Sequence, residues 1–469
     1  MGLRHVLGGA MCALALAGAP AAAADVGSFT SSDPQLNAIW AGSVRTAQDM
    51  LAPGPLATDS IGRDCTIGVP VVLLDGVVRD RCPYVGDEAV IDRTLDVSTP
   101  YWDVQRSMLA WFAEHQHPDG AIPASPLAHG SLVLFDYNAY WLQTLHDYVL
   151  YSGDVAFARE VWPSVTRLLD DFYVTHQSSR GLLVNDLGPR DYAYIRRNGD
   201  VVAYYNAQAV YAMREAVELA GWVGDSAAAR TWDARAAAIA AAFADSFWDE
   251  EAGAFFDTTL DRATHPQDGN AFAVLSGIAT GEQASSALEY LWAHTRRDYG
   301  DTIVDRNTWD APGWGMLSGE RVYPFMSYYE VSARFMVDDD LSALDQLRRT
   351  WGYMLRFGPG TMWETIGGYG GGPTDVSPSW DAGWSSGAAP ALTRYVLGVL
   401  PTSPGFETFT VDPHVGALDF ASGDVPTPHG PIHVSWLAGD ASVSIAVEAP
   451  PGTRWTNPPR RTRLDVAGT

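Results

Sequence analysis

The sequence predicts a mainly α protein, an (α/α)6 barrel of six helical hairpins followed by a small C-terminal antiparallel β domain. From about residue 34 to 398, apolar residues recur at helical spacing between turns rich in Gly, Pro and Asp. Short links alternate with long polar loops, as in successive antiparallel hairpins. After Pro401, apolar and polar residues alternate, which is typical of strands. These patterns assign residues 25–398 to the barrel and residues 399–469 to the β domain.

The helices follow one another in pairs. Asp33-Pro34 predicts the start of the first helix. Gly153-Asp154 and Gly224-Asp225 lie between consecutive helices, with Gly ending one helix and Asp capping the next. Apolar stripes at helical spacing comprise Val161, Val165, Leu168, Leu169 and Phe172; Val210, Met213, Val217 and Ala220; Trp232, Ala236, Ile239, Phe243 and Phe247; and Leu341, Leu344, Leu347, Trp351 and Met354. Helical period alone also fits a solenoid, but no fixed repeat length is present.

The C-terminal segment shows period-two alternation instead. Its predicted strands contain Phe409 and Val411; Ile432, Val434 and Trp436; and Val443, Ile445 and Val447. A turn cluster at residues 426–430, Pro-Thr-Pro-His-Gly, separates two of them. About seventy residues therefore form a small β domain that caps the barrel.

Composition limits the partners. The chain has 469 residues, a formal charge of −26 and no lysine. So acidic a surface argues against nucleic acid and anionic membranes, and favours a neutral or weakly charged substrate. Seventeen Trp and twenty Tyr side chains are available as platforms for sugar rings, although most are expected in the core. The sequence carries no signal for an oligomeric state.

The first 24 residues are typical of a cleaved signal peptide, which predicts a secreted protein. Arg4 gives a positive start, an apolar stretch follows, and small residues precede Asp25. There is no convincing lipobox and no later apolar run long enough for a membrane anchor. Outside the cytoplasm, the two remaining cysteines, Cys65 and Cys82, are expected to form a disulfide. No Cys/His spacing typical of a zinc site is present, so no metal is predicted.

Charged residues are concentrated between Leu74 and Asp87. Asp75, Arg79, Asp80, Arg81 and Asp87 lie here among Gly, Pro and an aromatic residue. Neighbouring carboxylates raise one another's pKa, and arginines hold others ionised, which suits general acid chemistry. A solvated acidic loop with surface ion pairs explains the composition equally well.

The pattern Asp75-x-x-x-Arg79-Asp80-Arg81-x-x-x-x-Gly86-Asp87 resembles the signature of bacterial α-L-rhamnosidases, glycoside hydrolase family 78. The resemblance implies that Asp80 is the general acid and that Asp75, Arg79 and Asp87 bind the sugar. The best-known members carry Glu where Asp80 stands, and a subgroup carries Asp. The runs at residues 397–402 and 426–430 also resemble this family.

A second carboxylate is needed across the sugar from the acid. Glu364, in Gly-Thr-Met-Trp-Glu at residues 360–364, precedes a glycine-rich loop. This run resembles the family's Thr-x-Trp-Glu motif. The resemblance implies that Glu364 is the general base, which activates water in an inverting reaction. Trp363 is either a sugar platform or a packing residue.

The sequence departs from the family on its last helix. Ala382 stands where a His is expected, within Ser-Trp-Asp-Ala-Gly-Trp-Ser at residues 379–385. Asp381 either compensates for this His or caps the helix. We expect Trp384 to contact the sugar. Asp136, in front of a predicted helix, is either a substrate-binding residue or an N-cap.

The sequence thus predicts a secreted, inverting α-L-rhamnosidase-like hydrolase that acts on a glycoside or oligosaccharide and needs no cofactor. One alternative is a barrel enzyme for another sugar, or a uronate lyase, which uses Tyr, His and Arg rather than paired acids. Another is a carbohydrate-binding protein that has lost catalysis, as Ala382 suggests. A structural helical domain without a ligand is the third alternative.

Overall fold

The computed structural model describes residues 26–54, 68–78, 81–126, 131–305, 320–373, 379–440 and 442–456, and the backbone of 464–466. The predicted signal peptide lies outside the described residues. So do three residues with predicted roles, namely Cys65, Arg79 and Asp80.

Helices occupy most of the described chain up to residue 396. They are α1 (Pro34–Asp49), α2 (Val85–Asp96), α3 (Trp102–Glu114), α4 (Tyr137–Ser152), α5 (Val155–Arg167), α6 (Tyr173–Thr175), α7 (Ala203–Val223), α8 (Ser226–Phe247), α9 (Gln267–Leu275), α10 (Glu282–His294), α11 (Pro324–Met336), α12 (Asp340–Phe357) and α13 (Ala388–Ala391). Two π-helical turns, Leu168–Phe172 and Leu392–Val396, extend α5 and α13.

The helices form two concentric layers. The inner helices α2, α4, α7, α9 and α11 pack each against the next, and residues 383–391 close the ring between α11 and α2. Every residue of α2 and of α9 is buried, whereas outer helices such as α8 bury one face only. A helix buried on all sides needs a second layer around it, which the outer helices supply. The predicted six-hairpin barrel is confirmed.

Local signals in the sequence account for the helix ends. Gly153 and Gly224 adopt left-handed conformations with φ of 80° and 93°, which a residue without Cβ tolerates. The Asp154 and Asp225 side chains then accept hydrogen bonds from the Phe157 and Ala228 backbone N–H groups, both at 3.0 Å. The predicted caps at these four residues are confirmed.

The apolar stripes mark the buried faces with two exceptions, of which one is Val217 of α7, which is only half-buried. The buried residues of α8 are the five that the spacing indicates, from Trp232 to Phe247. On α12, however, Leu341 is 63% exposed, while Leu344 and Leu347 are buried. Leu341 lies in the first turn of its helix, before the helix reaches the core. In the described part of the chain, no helix has the length and apolar character that a bilayer span requires.

Strands make up the C-terminal part and a few short hairpins. They are β1 (Ser28–Ser31), β2 (Leu51–Pro53), β3 (Val71–Leu73), β4 (Trp248–Asp249), β5 (Ala254–Phe255), β6 (Arg296–Arg297), β7 (Gly300–Asp301), β8 (Val399–Pro401), β9 (Thr408–Val411), β10 (Phe420–Val425), β11 (Ile432–Ala438), β12 (Val443–Glu448), β13 (Arg454–Thr456) and β14 (Leu464–Val466). The larger sheet has the order β1-β10-β11-β12-β14, and a second sheet has the order β13-β9-β8.

The β domain differs from the prediction in two respects. Strand β1, from the N-terminal side of the barrel, pairs antiparallel with β10, whereas the predicted boundaries assign residues 25–31 to the barrel. In addition, β12 pairs with β14, and β9 with β13, in parallel. The remaining pairs of the two sheets are antiparallel, as predicted. Trp436 anchors the larger sheet because its Nε1–H donates to the Val396 carbonyl at 2.8 Å.

Ionisable side chains occupy part of the barrel interior. Asp96, at the end of α2, is fully buried and accepts hydrogen bonds from Trp102 Nε1 at 3.0 Å and Gln105 Nε2 at 3.1 Å. Burial raises the pKa of Asp96 to about 8. The folded state therefore binds a proton here that the unfolded chain releases near pH 4.

We predict that Asp96→Asn reduces the loss of stability with rising pH. A folded-state pKa above the unfolded value stabilises the fold at low pH, and this contribution is lost as the pH rises towards about 8. One such group makes the free energy of unfolding fall by about 1.4 kcal/mol per pH unit in this range, and Asp96→Asn should remove this slope. Urea unfolding at several pH values between 5 and 8 measures it, with the exposed Asp103→Asn as control. Parallel stability curves for wild type and Asp96→Asn would contradict the prediction.

Candidate active site

One cavity at the mouth of the barrel brings together side chains from five distant segments of the chain. Its empty volume is about 380 Å³. The lining residues are Asp75, Tyr84, Asp87, Leu134, Tyr137, Tyr192, Tyr194, Glu364 and Trp384. Four of them, Asp75, Asp87, Glu364 and Trp384, are predicted site residues. The structure thus joins the acidic signature to the Trp-Glu motif, nearly 300 residues later in the chain.

Backbone hydrogen bonds fix the acidic signature against the last helical segment. Gly383 N–H donates to the Asp75 carbonyl at 2.7 Å, and Val77 N–H donates to the Asp381 carbonyl at 3.2 Å. Asp75 N–H in turn donates to the Cys82 carbonyl at 3.1 Å. The chain on both sides of positions 79 and 80 is therefore held at the cavity.

Cys82 is buried and disulfide-bonded. Its predicted partner, Cys65, lies outside the described residues, so the pairing stays a prediction. A covalent bond at Cys82 restrains the same loop that the hydrogen bond from Asp75 closes.

Asp75 and Asp87 form a coupled pair of carboxyl groups in the cavity. Burial raises the pKa of Asp87 well above its ordinary value, and the charge of Asp75 and a hydrogen bond with it raise the pKa further. Tyr137 Oη–H donates to Asp87 Oδ2 at 3.1 Å. The pair favours a shared proton, so one carboxyl group can donate a hydrogen bond while the other accepts one. Such a pair suits vicinal hydroxyl groups, which both donate and accept.

Glu364 reaches the cavity from the segment after α12. Its backbone N–H donates to the Ser379 carbonyl at 3.0 Å, and its carbonyl accepts the Nε1–H of Trp384 at 2.9 Å. Glu364 lines the cavity and is itself only 6% exposed. Trp384 is itself held by Phe325, with parallel rings 5.0 Å apart.

The remaining cavity wall is aromatic or apolar. Leu134, Tyr137 and Tyr194 were not identified from the sequence, although they flank predicted helix starts. Tyr194 has a positive φ of 53°, which is strained for a residue other than glycine. The Asp191 side chain stabilises this turn by accepting hydrogen bonds from Ala193 N–H at 3.1 Å and Ile195 N–H at 2.9 Å. A Tyr in this turn gives the cavity a rigid aromatic wall.

Asp136 is not among the residues that line the cavity, and its side chain makes no cap hydrogen bond with α4. Its Oδ2 instead accepts hydrogen bonds from Tyr192 N–H at 3.0 Å and Tyr204 Oη–H at 3.1 Å. The structure therefore places Asp136 behind the cavity, where it positions Tyr192. Neither alternative from the sequence, direct binding or capping, describes these contacts.

Trp363 also lies behind the wall. It is 1% exposed and packs edge-on against Trp380, with ring centroids 4.6 Å apart. These contacts favour a packing role for Trp363 over a role as a sugar platform.

Ala382 is fully buried, and its N–H donates to the Met362 carbonyl at 2.9 Å. Asp381 makes no cap hydrogen bond, since its carboxyl group lies against Asp49.

Arg197 organises a buried network beside the cavity. Its guanidinium group donates to Asp257 at 2.5 Å, Asp268 at 2.6 Å and Asp191 at 3.2 Å. Asp268 also accepts the Oη–H of Tyr192 at 3.2 Å. One cation thus holds three carboxylates, two of which support the tyrosines of the cavity wall. The sequence gives no sign of this network, because its members lie up to 77 residues apart.

We predict that Arg197→Met destabilises the fold by about 3–5 kcal/mol, since it leaves buried carboxylates without their counter-charge. Guanidinium unfolding measures the loss. The matched control is Arg159→Met, because Arg159 is exposed and reaches only backbone carbonyls. We expect less than about 1 kcal/mol there. Equal losses in the two variants would show that the network does not stabilise the fold.

Comparison with known families supports this architecture. Residues 24–303, which are 280 of the 469 residues, match the model of the bacterial alpha-L-rhamnosidase six-hairpin glycosidase domain. Residues 398–457 match the bacterial alpha-L-rhamnosidase C-terminal domain. An alpha-L-rhamnosidase of Alteromonas sp. (strain LOR) is 29% identical over 114 residues, which cover 22% of this chain and 11% of that protein.

Solved structures share the fold. The GH78 family rhamnosidase of Bacillus sp. GL1 superimposes with a TM-score of 0.74 at 23% identity, covering 94% of this chain and 44% of that chain. The rhamnosidase of Klebsiella oxytoca, solved with rhamnose bound, gives a TM-score of 0.61 at 22% identity, covering 78% and 64%. The chain thus spans less than two thirds of the length of each of these relatives. By its match over more than half of its length, the chain belongs to the bacterial alpha-L-rhamnosidase six-hairpin glycosidase family.

Proposed function

We propose that the protein is a secreted, inverting glycoside hydrolase that cleaves terminal α-L-rhamnosyl bonds, or bonds of a related neutral sugar. The observation that carries the proposal is the convergence of Asp75, Asp87 and Glu364 in one cavity. Glycoside hydrolysis uses two carboxyl groups on opposite faces of the sugar, and acidic residues from two distant segments meet here. The net charge of −26 also suits a neutral substrate.

In this mechanism Asp80 protonates the glycosidic oxygen while Glu364 deprotonates the attacking water. The two carboxyl groups are then expected to lie roughly 6.5–9.5 Å apart, which leaves room for the water. Asp80 lies outside the described residues. Its described neighbours support the assignment, because backbone hydrogen bonds of Asp75 and Val77 join them to residues 381–383 beside the cavity.

The coupled pair of Asp75 and Asp87 would bind adjacent sugar hydroxyls. Leu134 and the tyrosines offer an apolar wall for the less polar face of a deoxy sugar. Arg79, next to Asp80, would complete the polar side. The mechanism requires neither a metal nor an organic cofactor.

A carbohydrate-binding protein without catalysis is the second candidate function, and Ala382 favours it. Ala382 is buried and is not among the residues that line the cavity, so it offers no polar group to a sugar there. A binding protein has little use for Glu364, however, because a carboxylate that activates water adds nothing to affinity. Retention of Asp80 and Glu364 therefore supports the hydrolase.

We predict that purified protein releases sugar from an aryl α-L-rhamnoside, and that Asp80→Asn and Glu364→Gln each lower kcat by about 10²–10⁴-fold. Loss of general acid or general base chemistry slows the reaction while the cavity and its binding groups remain. Spectrophotometric release of the aryl group from a panel of aryl glycosides measures this.

The matched controls are Asp419→Asn and Glu407→Gln, which make the same chemical changes at exposed positions in the C-terminal region. We expect both to retain wild-type rates. Release of a different sugar with the same dependence on Asp80 and Glu364 would keep the mechanism and overturn rhamnose as the substrate. Binding of a sugar without cleavage of any glycoside would overturn the hydrolase and establish the binding protein.

A further inference from the structure

A second cluster of ionisable side chains lies at the other end of the barrel, away from the candidate active site. Tyr137, at the start of α4, lines the cavity, whereas His146 and Asp147 lie about 14 Å further along the same helix. Glu215 and Glu218 are in the second half of the neighbouring inner helix, α7. The proposed hydrolysis uses none of these four residues.

The His146 ring is held in a defined orientation. Its Nε2–H donates to Glu218 Oε2 at 3.1 Å, and the ring stacks on Trp222 at a centroid distance of 5.1 Å. Because Glu218 occupies Nε2, Nδ1 is the ring nitrogen that can bind a metal ion after it loses its proton. Histidine ligands in metal sites are commonly oriented by a carboxylate in this way.

The Nδ1 atom points at two carboxylate oxygens. Asp147 Oδ1 is 3.6 Å away and Glu215 Oε1 is 3.8 Å away, both beyond hydrogen-bond distance. His146 is 6% exposed and Glu215 8% exposed, and His146 Nδ1 and Glu215 Oε2 have no hydrogen-bond partner. Leaving such atoms buried and unsatisfied is costly, so their arrangement calls for a ligand between them.

The spacing fits a metal ion. One ligand atom from each of His146, Asp147 and Glu215 lies within 4.8 Å of the others. For four-coordinate zinc with bonds of about 2.1 Å, neighbouring ligand atoms are about 3.4 Å apart, close to the 3.6 and 3.8 Å seen here. Small side-chain movements are enough to complete the site.

The charges fit a divalent cation. Arg93 Nε binds Asp147 Oδ2 at 2.5 Å and balances that carboxylate, while Arg394 lies near both Asp96 and Asp147. Glu215 and Glu218 then supply two further carboxyl groups around His146, and a bound cation takes the place of the proton on the ring. A ligand set of one imidazole and carboxylates favours Zn²⁺, since Ca²⁺ takes six to eight oxygen ligands.

We propose that His146, Asp147 and Glu215 bind a structural Zn²⁺ ion that joins α4 to α7, with Glu218 orienting the imidazole and open to solvent at the rim. Glu218 has a side chain that is 62% exposed and marks the route of entry. The sequence predicts no metal because no Cys/His spacing typical of a zinc site is present. His146 and Glu215 are 69 positions apart, so a search for closely spaced Cys and His residues cannot find this site.

The experiment uses the full-length protein, stripped with EDTA and titrated with Zn²⁺ by calorimetry, together with its melting temperature with and without Zn²⁺. We expect about one equivalent bound and a higher melting temperature with Zn²⁺. His146→Gln, which keeps a polar group towards Glu218 but removes Nδ1, and Glu215→Gln should each weaken binding at least tenfold.

The matched control is His414→Gln. His414 Nδ1 is 2.7 Å from Asp340 and 3.9 Å from Asp338, which makes it the other histidine–carboxylate group of the described residues with suitable spacing. This variant should bind Zn²⁺ as wild type does. The proposal is overturned if wild type binds no Zn²⁺, if His146→Gln and Glu215→Gln both bind it unchanged, or if His414→Gln abolishes binding.

If His146→Gln does not fold, the proposal is tested by Zn²⁺ binding to Glu215→Gln and by the response of wild type to EDTA and Zn²⁺. Removal of the ion should lower the wild-type melting temperature, and an unchanged value would contradict a structural role. Sugar release is not a readout here, so failure of the metal site leaves the proposed hydrolysis untouched.

Discussion

The site depends on the hydrogen bonds between residues 75–77 and 381–383. Gly383 N–H to Asp75 and Val77 N–H to Asp381 bind the first acidic segment to the segment that closes the inner ring. Backbone groups of these loops are buried and have to be paired, so the contact fixes both loops at once. The contact that joins these loops therefore also brings Asp75 to the cavity that Asp87 and Glu364 line.

Behind the cavity, buried charges replace part of the apolar core. Arg197 holds Asp191, Asp257 and Asp268 under the tyrosine wall, and Arg93 joins α2 to α4 through Asp147. Buried ion pairs add little net stability but fix geometry, since every alternative arrangement leaves an uncompensated charge. At the mouth of the barrel this rigidity serves the sugar site. At the opposite end of the barrel, another group of buried ionisable residues places His146 Nδ1 close to the carboxylates of Asp147 and Glu215.

The sequence predicted what local chemistry determines. The stripe of α8, the caps at Asp154 and Asp225 and the start of α1 depend on neighbours in the chain, and all are confirmed. Contacts between distant segments of the chain could not be predicted from the sequence. The pairing of β1 with β10 joins residues nearly 400 positions apart, and Asp136 binds Tyr192 and Tyr204 rather than capping its own helix. Leu134 and Tyr194 carry no motif, so only the fold shows that they line the cavity.

The most direct test of the central claim is a crystal structure of the Glu364→Gln variant with an aryl α-L-rhamnoside. We expect the sugar in the cavity, with Asp75 and Asp87 on its hydroxyls, the Asp80 carboxyl group near the glycosidic oxygen and residue 364 on the opposite face. The separation of the two catalytic groups should be roughly 6.5–9.5 Å. A sugar bound elsewhere, or an Asp80 side chain turned away from the glycosidic oxygen, would contradict the assignment of this cavity as the active site.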